Sequence, residues 1–273
     1  MAFEYPGEGA LDYFPCRYGP SKLLFRGPRR DLTEPYLAAF GGGETYGKFV
    51  ENPWPSLVEA KLGLPVINFG YLNAGIDVFF NEPAVLGASR RAKLTVIQLM
   101  GAHNMSNRFY SVHPRRNDRF LKASNQLRSL FPEVDFAEFN FTRHLLSVLY
   151  ECAPERFSAV ATELRTAWVA RMSSFLERMG GRKVLLWLGE YRDPSVHDPL
   201  GPEPLLLDEG LVALISGFAD VLVKVQPSVA ARTTGVEGMV FGPMEELAAS
   251  TMPGPAVHRE IAEAITPVLA RML

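Results

Sequence analysis

Residues 35–75 constrain the fold of this chain more than any other segment. An apolar run at 36–40 leads into a glycine-rich turn at 41–47, a segment of helical periodicity at 54–62 and a second apolar run at 64–70. Strand, helix and parallel strand joined by short turns form a right-handed crossover unit. Such units stack into one sheet with helices on both faces, so the sequence predicts a doubly wound, flavodoxin-like α/β fold.

Three more apolar runs supply the remaining strands of a mostly parallel, five-stranded sheet. They lie at 94–100, 183–189 and 220–227, and the nearly continuous apolar character of the first is typical of a strand covered on both faces. A short extra strand is expected at 239–241. Apolar residues at helical spacing predict further helices. The predicted helices are 54–62, 139–150, 156–179, 211–218 and 257–273.

The chain has 273 residues, of which 47% are hydrophobic, so it can bury one sizeable core. We assign residues 35–273 to one α/β domain with an arginine- and aromatic-rich insertion at about 103–125. Residues 1–34 are rich in Pro, Gly and aromatic residues, which predicts an irregular arm over the domain. The arm either binds an anion or a partner, or packs with buried aromatic and solvated basic side chains. Its basic residues are Arg17, Lys22, Arg26, Arg29 and Arg30.

Composition argues against several classes of partner. The formal net charge of −2 gives no general attraction to nucleic acid or to an anionic membrane. Cys16 and Cys152 are too few for a disulfide framework and lack metal-ligand spacing. The start of the chain has no basic segment followed by an apolar core, and no run approaches the ~18 apolar residues that cross a bilayer. We therefore expect a cytoplasmic protein without metal or cofactor, and without a nucleic-acid or membrane partner.

Four short blocks carry a family resemblance. They are residues 40–47 (FGGGETYG), 68–75 (NFGYLNAG), 99–104 (LMGAHN), and 252–253 followed by 258–262. Their order and spacing resemble those of the SGNH (GDSL-type) esterases and lipases. The resemblance implies an SGNH-hydrolase-like fold over roughly residues 35–273. It is closest to a degenerate domain of an uncharacterised bacterial family, which by itself implies no function.

The resemblance also implies which positions would carry catalysis. The first block of the family reads Gly-Asp-Ser-x-Thr-x-Gly, and its serine is the nucleophile. On the ungapped register Gly43 takes that position, and a glycine has no side chain to attack with. The last block places Ala249 and Met252 where the family has its Asp and His. Serine-esterase chemistry is therefore disfavoured.

The middle blocks concern the oxyanion hole in the same family. Asn73 aligns with the glycine whose amide helps to form the hole, and Gly75 follows two residues later. The Asn of the third block is replaced by His103, unless a one-residue shift makes it Asn104. In the first block, Gly42, Gly43 and Thr45 could present backbone amides to an anion, although the turn lacks the residues of a P-loop and a tight structural turn is the alternative.

Titratable residues near these blocks are candidates for acid or base roles. Glu44 is the only strong acid in the glycine turn and could act as a general base on water. The alternative is an exposed, solvated carboxylate, and Asp77 is a second candidate of the same kind. His144 is expected to be buried on an apolar helix face. His258 is expected at the surface, in the first turn of the last helix.

The insertion gives the strongest prediction of a binding site. Arg108, Arg115, Arg116 and Arg119 follow the third strand of the sheet, and guanidinium groups suit carboxylate, sulfate or phosphate. Phe109, Tyr110 and Phe120 lie between them and could stack on a sugar or a base. The alternatives are a salt-bridged surface loop or an oligomer interface. The loop after the fourth strand could complete the site through Glu190, Arg192, Asp193 and His197.

Three functions remain open. The first is a protein that binds a small anionic or saccharide ligand at the carboxyl edge of the sheet. The second is a hydrolase or group transferase, acting on an ester, a sulfate or an acyl-saccharide, with Glu44, His103 or His113 as acid or base. The third is a structural protein whose insertion forms an interface in a homo-oligomer.

Overall fold

The computed structural model of the protein describes residues 11–273. The predicted arm at 1–34 therefore lies only partly within this range. The first residues of the chain, on which the expectation of no secretory signal rests, lie outside it. Among the described residues, none of the helices combines the length and the apolar character that a bilayer crossing needs.

Five parallel strands form the central sheet, and two antiparallel strands form a separate hairpin. In chain order the strands are β1 (Leu37–Gly41), β2 (Val66–Gly70), β3 (Leu94–Gln98), β4 (Tyr110–His113), β5 (Arg116–Ala123), β6 (Lys183–Leu188) and β7 (Val221–Val225). The sheet order is β2-β1-β3-β6-β7, with every neighbouring pair parallel. From β1 the chain adds β2 on one side and then β3, β6 and β7 on the other. Doubly wound flavodoxin-like folds change sides in the same way. The predicted fold class is confirmed.

Helices connect the strands and cover both faces of the sheet. They are α1 (Gly43–Tyr46), α2 (Trp54–Leu62), α3 (Ile76–Phe80), α4 (Pro83–Arg91), α5 (Asn125–Leu130), α6 (Thr142–Cys152), α7 (Pro154–Met179), α8 (Glu209–Ser216), α9 (Val229–Thr233), α10 (Glu246–Ala249) and α11 (Pro255–Met272). The longer ones have clear sequence boundaries. Proline stands in the first turn of α2, α7 and α11, where no hydrogen bond is lost. Gly63 ends α2 in the left-handed conformation with φ 65°.

The two faces of the sheet belong to separate cores, because successive side chains of a strand point to opposite faces. Ala38 and Phe40 of β1 pack into the larger core, together with apolar residues of α3, α4, α6 and α7. Leu37 and Ala39 pack on the other side, against α2 and α11. All five residues of β1, β2 and β3 are buried. Both faces of these strands are therefore dry, which explains why their sequences alternate so little.

The described part of the arm is packed onto the domain. Cys16 and Phe25 form an antiparallel bridge, and Tyr18, Leu23 and Phe25 are buried in the larger core. Arg26 differs from the expectation of solvated basic residues, because it is only 8% exposed. Its guanidinium donates to the carbonyl oxygens of Tyr46, Gly47 and Glu51 just behind the glycine turn. The arm thus stabilises the back of that turn.

Two other local predictions need correction. Residues 239–241 form a loop and not a strand; the N–H of Val240 donates to the carbonyl oxygen of Phe49 at 2.8 Å. The insertion at 103–125 contains the hairpin β4–β5, where the sequence predicts no strands. The register of the hairpin shifts at Ser111 and Val112, so its strands show little of the regular alternation that predicts strands.

Candidate functional site

The loops that follow β1, β2 and β3 meet at the carboxyl edge of the sheet. A Cβ atom on Gly70 would collide with the backbone of Tyr46, and one on Gly75 would collide with the carbonyl oxygen of Asn104. The N–H of Tyr71 donates to the carbonyl oxygen of Gly41 at 3.0 Å. These close backbone approaches bring together the first three sequence blocks, as their order in the chain implied.

Gly43 lies at the start of α1 and is buried. A Cβ atom built on it would lie 3.2 Å from Sδ of Met252 and 3.8 Å from Cδ2 of Leu72. Met252 is the residue that the sequence register placed at the position of the family's histidine. Gly43 and Met252 are therefore neighbours in the structure. Around this corner the groups are a glycine, a thioether and an isobutyl group, and none of them is a nucleophile or a base.

Glu44 is held by hydrogen bonds and is only partly exposed, so the expectation of a solvated carboxylate is wrong. Tyr191 donates its hydroxyl to Oε1 of Glu44 at 2.9 Å. Gln98 donates from Nε2 to Oε2 at 3.0 Å. The hydroxyl of Thr45 and the N–H of Gly42 both donate to Oε1 of Gln98, at 2.6 Å and 3.3 Å. These bonds leave the Gln98 amide one orientation, which fixes the Glu44 carboxylate in turn.

Gly42 has a specific steric role beside this carboxylate. A Cβ atom on Gly42 would lie 2.6 Å from Oε2 of Glu44. The head of Glu44 therefore lies against the α-carbon of the glycine. Any larger residue at position 42 would displace it. Thr45, by contrast, is fully buried and its hydroxyl is committed to Gln98.

Negative charge is concentrated on the β6 side of Glu44. Burial and the charge of Glu44 raise the pKa of Tyr191 well above its usual range. Burial also raises the pKa of Glu203, with a further contribution from Glu44. Tyr191 therefore remains a protonated donor to Glu44 at neutral pH, and the two carboxyl groups interact.

An ion-pair network lies behind these acids in the loop after β6. Arg143 pairs with Asp198 and Glu203. Arg192 binds Glu190 through two nitrogens, at 2.9 Å and 2.7 Å, and reaches Asp198 at 3.1 Å. Burial alone would raise the pKa of Glu190, but the Arg192 guanidinium and the backbone N–H groups of Arg192 and Glu203 lower it to about 2. This network stabilises the loop. Two of the residues suggested to complete the site, Glu190 and Arg192, are committed to it.

His103 is the buried histidine at the carboxyl end of β3. It is 9% exposed, and its Nδ1 atom has no hydrogen-bond partner among the described residues. Burial lowers the pKa of His103 to about 3, assisted by the positive charge of Arg143. The imidazole is therefore neutral at pH 7, and it is too weak a base to accept a proton readily at that pH.

His144 and His258 lie on helices, and each has the opposite burial from the one expected. His258 is fully buried, so the expectation of a surface group is wrong; its Nδ1 accepts from the N–H of Trp54 at 3.1 Å and caps α2. Burial lowers the pKa of His258 to about 3. His144, expected to be buried, is exposed beside Phe139. Helical spacing placed both residues correctly along their helices but did not reveal which face is covered.

Asn117 attaches the hairpin to the carboxyl edge of the sheet. It is fully buried, and its Oδ1 accepts from the N–H groups of Gly75 and Val78, each at 3.0 Å. Its Nδ2 donates to the carbonyl oxygen of His113 at 3.1 Å. A side chain of β5 therefore caps α3, whose own N-cap is a glycine. The position of the turn between β4 and β5 is fixed by this residue.

The four arginines of the insertion do not form one cluster. Arg108 pairs with Glu163, and Arg119 stacks over the ring of Phe141 at 4.3 Å. Arg115 and Arg116 are exposed at the hairpin turn. Their charges oppose the rise in the pKa of Tyr71 that burial causes, so both lie near the ring that follows β2. Of the four arginines, these two are the ones whose charges act on Tyr71.

The remaining predicted site residues differ in exposure and in hydrogen-bond partners. Asn73 is exposed in the left-handed conformation with φ 57°. Oδ1 of Asn104 accepts from the hydroxyl of Thr142 at 2.6 Å. His113 is half-buried, and its Nδ1 accepts from the N–H of Arg115 at 3.2 Å. Asp77 accepts from the N–H of Ser106 at 2.9 Å and pairs with Arg171; it is not free to act as a base.

Two aromatic residues of the insertion are unavailable for stacking on a ligand. Tyr110 and Phe120 are 2% and 7% exposed and belong to the larger core. The hydroxyl of Tyr110 donates to the carbonyl oxygen of His103 at 2.6 Å. The hairpin thus uses its aromatic side chains to attach itself to the domain. Its basic side chains remain at the surface.

Three residues that hold the side chains of this edge were not predicted from the sequence: Gln98, Tyr191 and Asn117. Gln98 left a signal, because it is a polar residue at the end of an apolar strand. Tyr191 and Asn117 left none, since their partners are 147 and 42 residues away in the chain. Among residues 11–273, no three His, Cys, Asp or Glu side chains are grouped so that they could hold a metal ion.

A family model described as "Domain of unknown function (DUF6473)" matches residues 1–273. No curated protein matches the sequence. The similar solved structures include the lipase Lip_vut3 from a goat rumen metagenome, with 13% identity, 86% of this chain and 97% of that chain covered, and a TM-score of 0.42.

Two further structures show the same degree of similarity. A protein assigned to the G-D-S-L lipolytic family from Desulfitobacterium hafniense DCB-2 has 11% identity, with 88% of this chain and 100% of that chain covered, and a TM-score of 0.41. A protein from Lactobacillus plantarum has 12% identity, 88% and 98% coverage and a TM-score of 0.37. Scores this low carry no weight for function, and the fold assignment rests on the strand order and direction.

Proposed function

Because the chain belongs to DUF6473, a family of unknown function, we propose a function from its site: it is a ligand-binding protein on an SGNH-like scaffold without a serine nucleophile. The ligand is small and carries an anionic group, which binds at the carboxyl edge of the sheet beside Arg115 and Arg116. The observation that carries the proposal is the contact between Gly43 and Met252, at the corner where a nucleophile and its base would stand.

The arginine pair supports the anionic character of the ligand. Among residues 11–273, no carboxylate forms an ion pair with Arg115 or Arg116. Asn117 fixes the adjacent backbone to Gly75 and Val78, so the pair is held beside the loop after β2. Guanidinium groups bind carboxylates, sulfates and phosphates through paired hydrogen bonds. Two unpaired guanidinium groups at a ligand-binding edge of the fold are suited to this role.

Titration calorimetry with sulfate, phosphate and pentanoate tests the proposal. We expect the variant Arg115→Ala/Arg116→Ala to bind the preferred anion at least ~10-fold more weakly, since one hydrogen bond to a charged group contributes about 1.5–3 kcal/mol. The matched control Arg128→Ala/Arg271→Ala removes two exposed arginines away from the turn and should bind like the wild type. Equal affinity of the wild type and the Arg115/Arg116 variant for every anion would refute the proposal.

A second candidate is hydrolysis with Glu44 as general base. It is favoured by one observation: Gln98 and Tyr191 fix the carboxylate, as expected of a group that must meet a water molecule in a defined position. In this mechanism Glu44 takes the proton of a water that attacks an ester carbonyl, and the leaving alcohol receives a proton. Turnover of p-nitrophenyl butyrate that Glu44→Gln abolishes would favour this candidate; no turnover, or turnover unaffected by Glu44→Gln, would remove it.

A further inference from the structure

Glu44 gives a second recognition point beside the arginines, and the inference drawn from it rests on the proposed function. Its two carboxylate oxygens each accept one hydrogen bond, from Tyr191 and from Gln98. A carboxylate has room for about four donors. The oxygens therefore retain acceptor capacity, in a head group whose orientation is fixed. Gly42 leaves room for this head group because it has no Cβ atom.

The charge of Glu44 is not neutralised by the protein. Among residues 11–273, no Lys, Arg or His forms an ion pair with it. Its charged neighbour Glu203 is another acid, and the two interact unfavourably. Arg143 and Arg192, the basic groups of the adjacent loop, are engaged by Asp198, Glu190 and Glu203. A half-buried carboxylate in such surroundings gains from a cation more than from a neutral donor.

The two sides of the carboxyl edge therefore carry opposite charge. Arg115 and Arg116 lie just before Asn117, whose side chain accepts from the N–H groups of Gly75 and Val78 after β2. Glu44 lies on the other side, where it accepts from Gln98 and Tyr191. Gly43, next to Glu44, and Leu72, in the loop after β2, are neighbours in an apolar corner with Met252. The complementary ligand has an anionic group at one end, a cationic group at the other and an apolar connection.

We propose that the ligand of this site is a zwitterion, an amine-bearing carboxylate, sulfonate or phosphate, whose ammonium group binds Glu44 while its anionic group binds Arg115 and Arg116. Glu44 is the specificity-determining residue, because it distinguishes an amine from a methyl group at the same position. Gln98 and Tyr191 are positioning residues that hold its carboxylate. The reaction chemistry of the lipolytic relatives is not required for this role.

Binding of a matched ligand series tests the assignment. The probes are 4-aminobutyrate, 5-aminopentanoate and 6-aminohexanoate, each compared by calorimetry with the carboxylate that has methyl in place of ammonium. We expect one of the amino acids to bind at least tenfold more tightly than its methyl analogue. The N-acetyl derivative of the same amino acid should lose this advantage, and this ligand-side control needs no variant. Glu44→Gln should reduce the preference to less than threefold.

The outcomes separate the inference from the proposed function. If the carboxylates bind through Arg115 and Arg116 but the amino acids have no advantage over their methyl analogues, the zwitterion is refuted and anion binding stands. If gluconate binds more tightly than every amino acid and Glu44→Gln removes that binding, Glu44 accepts from hydroxyl groups and the ammonium assignment is overturned. If no probe binds the wild type, the proposed function fails with it.

Discussion

The glycine turn at 41–47 and the hairpin β4–β5 border the same edge of the sheet, but they are held in different ways. The turn is buried, and the polar side chains of Glu44 and Thr45 have fixed partners. The hairpin anchors itself through Asn117 and Tyr110 and leaves Arg115 and Arg116 exposed. The comparison separates shape from charge: the turn fixes the position of a carboxylate at this edge, and the hairpin presents exposed positive charge.

The largest effect is expected where the loops approach most closely. A Cβ atom on Gly75 would collide with the backbone of Asn104, and backbone cannot move aside as a flexible side chain can. Gly75→Ala should therefore lower the free energy of unfolding by about 3 kcal/mol or more. Chemical denaturation followed by tryptophan fluorescence measures it.

Gly217→Ala is the matched control, because Gly217 has open space around it and φ −65°. It should leave the free energy of unfolding unchanged or raise it by up to ~1 kcal/mol. Equal stability of the two variants would contradict the close contact between the second and third blocks.

The second effect is a loss of stability at acidic pH. His103 and His258 have a pKa of about 3 in the folded protein, below the ~6.5 of an unfolded chain. The unfolded state therefore binds more protons between these values, and stability falls as the pH drops from about 6.5 toward 3. Each histidine contributes a slope of about 1.4 kcal/mol per pH unit at the centre of the window.

Denaturation of His258→Gln at pH 7, 6 and 5 tests this dependence. Glutamine retains an acceptor for the N–H of Trp54 but does not titrate. Between pH 6 and 5, the unfolding free energy of this variant should depend less on pH than that of the wild type. The difference should be about one proton, or about 1.4 kcal/mol per pH unit. An unchanged slope in His258→Gln would show that this histidine is accessible to protons.

A smaller effect is expected at Asn117, which attaches the hairpin to the loop after β2. Asn117→Ala removes the cap of α3 and the bond to His113, which should cost about 1–3 kcal/mol of unfolding free energy. It should also weaken anion binding, because the turn that carries Arg115 and Arg116 loses its attachment. Asn125→Ala, an exposed residue of α5, is the control. Loss of stability with unchanged affinity would mean that the hairpin does not depend on Asn117 for its position.

The smallest change in stability is expected at the arginines themselves. Arg115→Ala/Arg116→Ala should alter the free energy of unfolding by less than ~0.5 kcal/mol, as is usual for exposed side chains without partners. Its effect on anion affinity is the large one. A loss of more than ~2 kcal/mol in denaturation experiments would identify the pair as part of the folding core and remove the basis for a free binding surface.

The fold was predictable because it depends on local and periodic signals. Apolar runs and the glycines that end them marked all five strands of the sheet to within a few residues, and Trp54–Leu62 was predicted with the bounds that the structure has. The hairpin was not predictable, because Tyr110 and Phe120 are spaced irregularly across its bulges. Its arginines suggested a loop, and the pairing of its strands depends on contacts with the rest of the domain.

The meeting of the first three blocks at the carboxyl edge was predictable from their order, and Met252 of the last block lies beside Gly43. The binding and catalytic roles of these residues stay predictions. The constraint on Glu44 was not visible, since Gln98 and Tyr191 reach it across 54 and 147 residues of the chain. His258 was misjudged for a similar reason: the group that it caps lies 204 residues away. Side-chain partners from distant segments decide whether a polar residue is solvated or fixed.

One measurement tests the absence of a serine nucleophile most directly. The protein is incubated with an excess of an alkyl fluorophosphonate, which phosphonylates activated serines and releases fluoride, and its intact mass is then determined. If the corner formed by Gly43 and Met252 lacks a nucleophile, as we propose, the mass should remain that of the unmodified chain. A stoichiometric adduct on any serine near the carboxyl edge of the sheet would contradict the account.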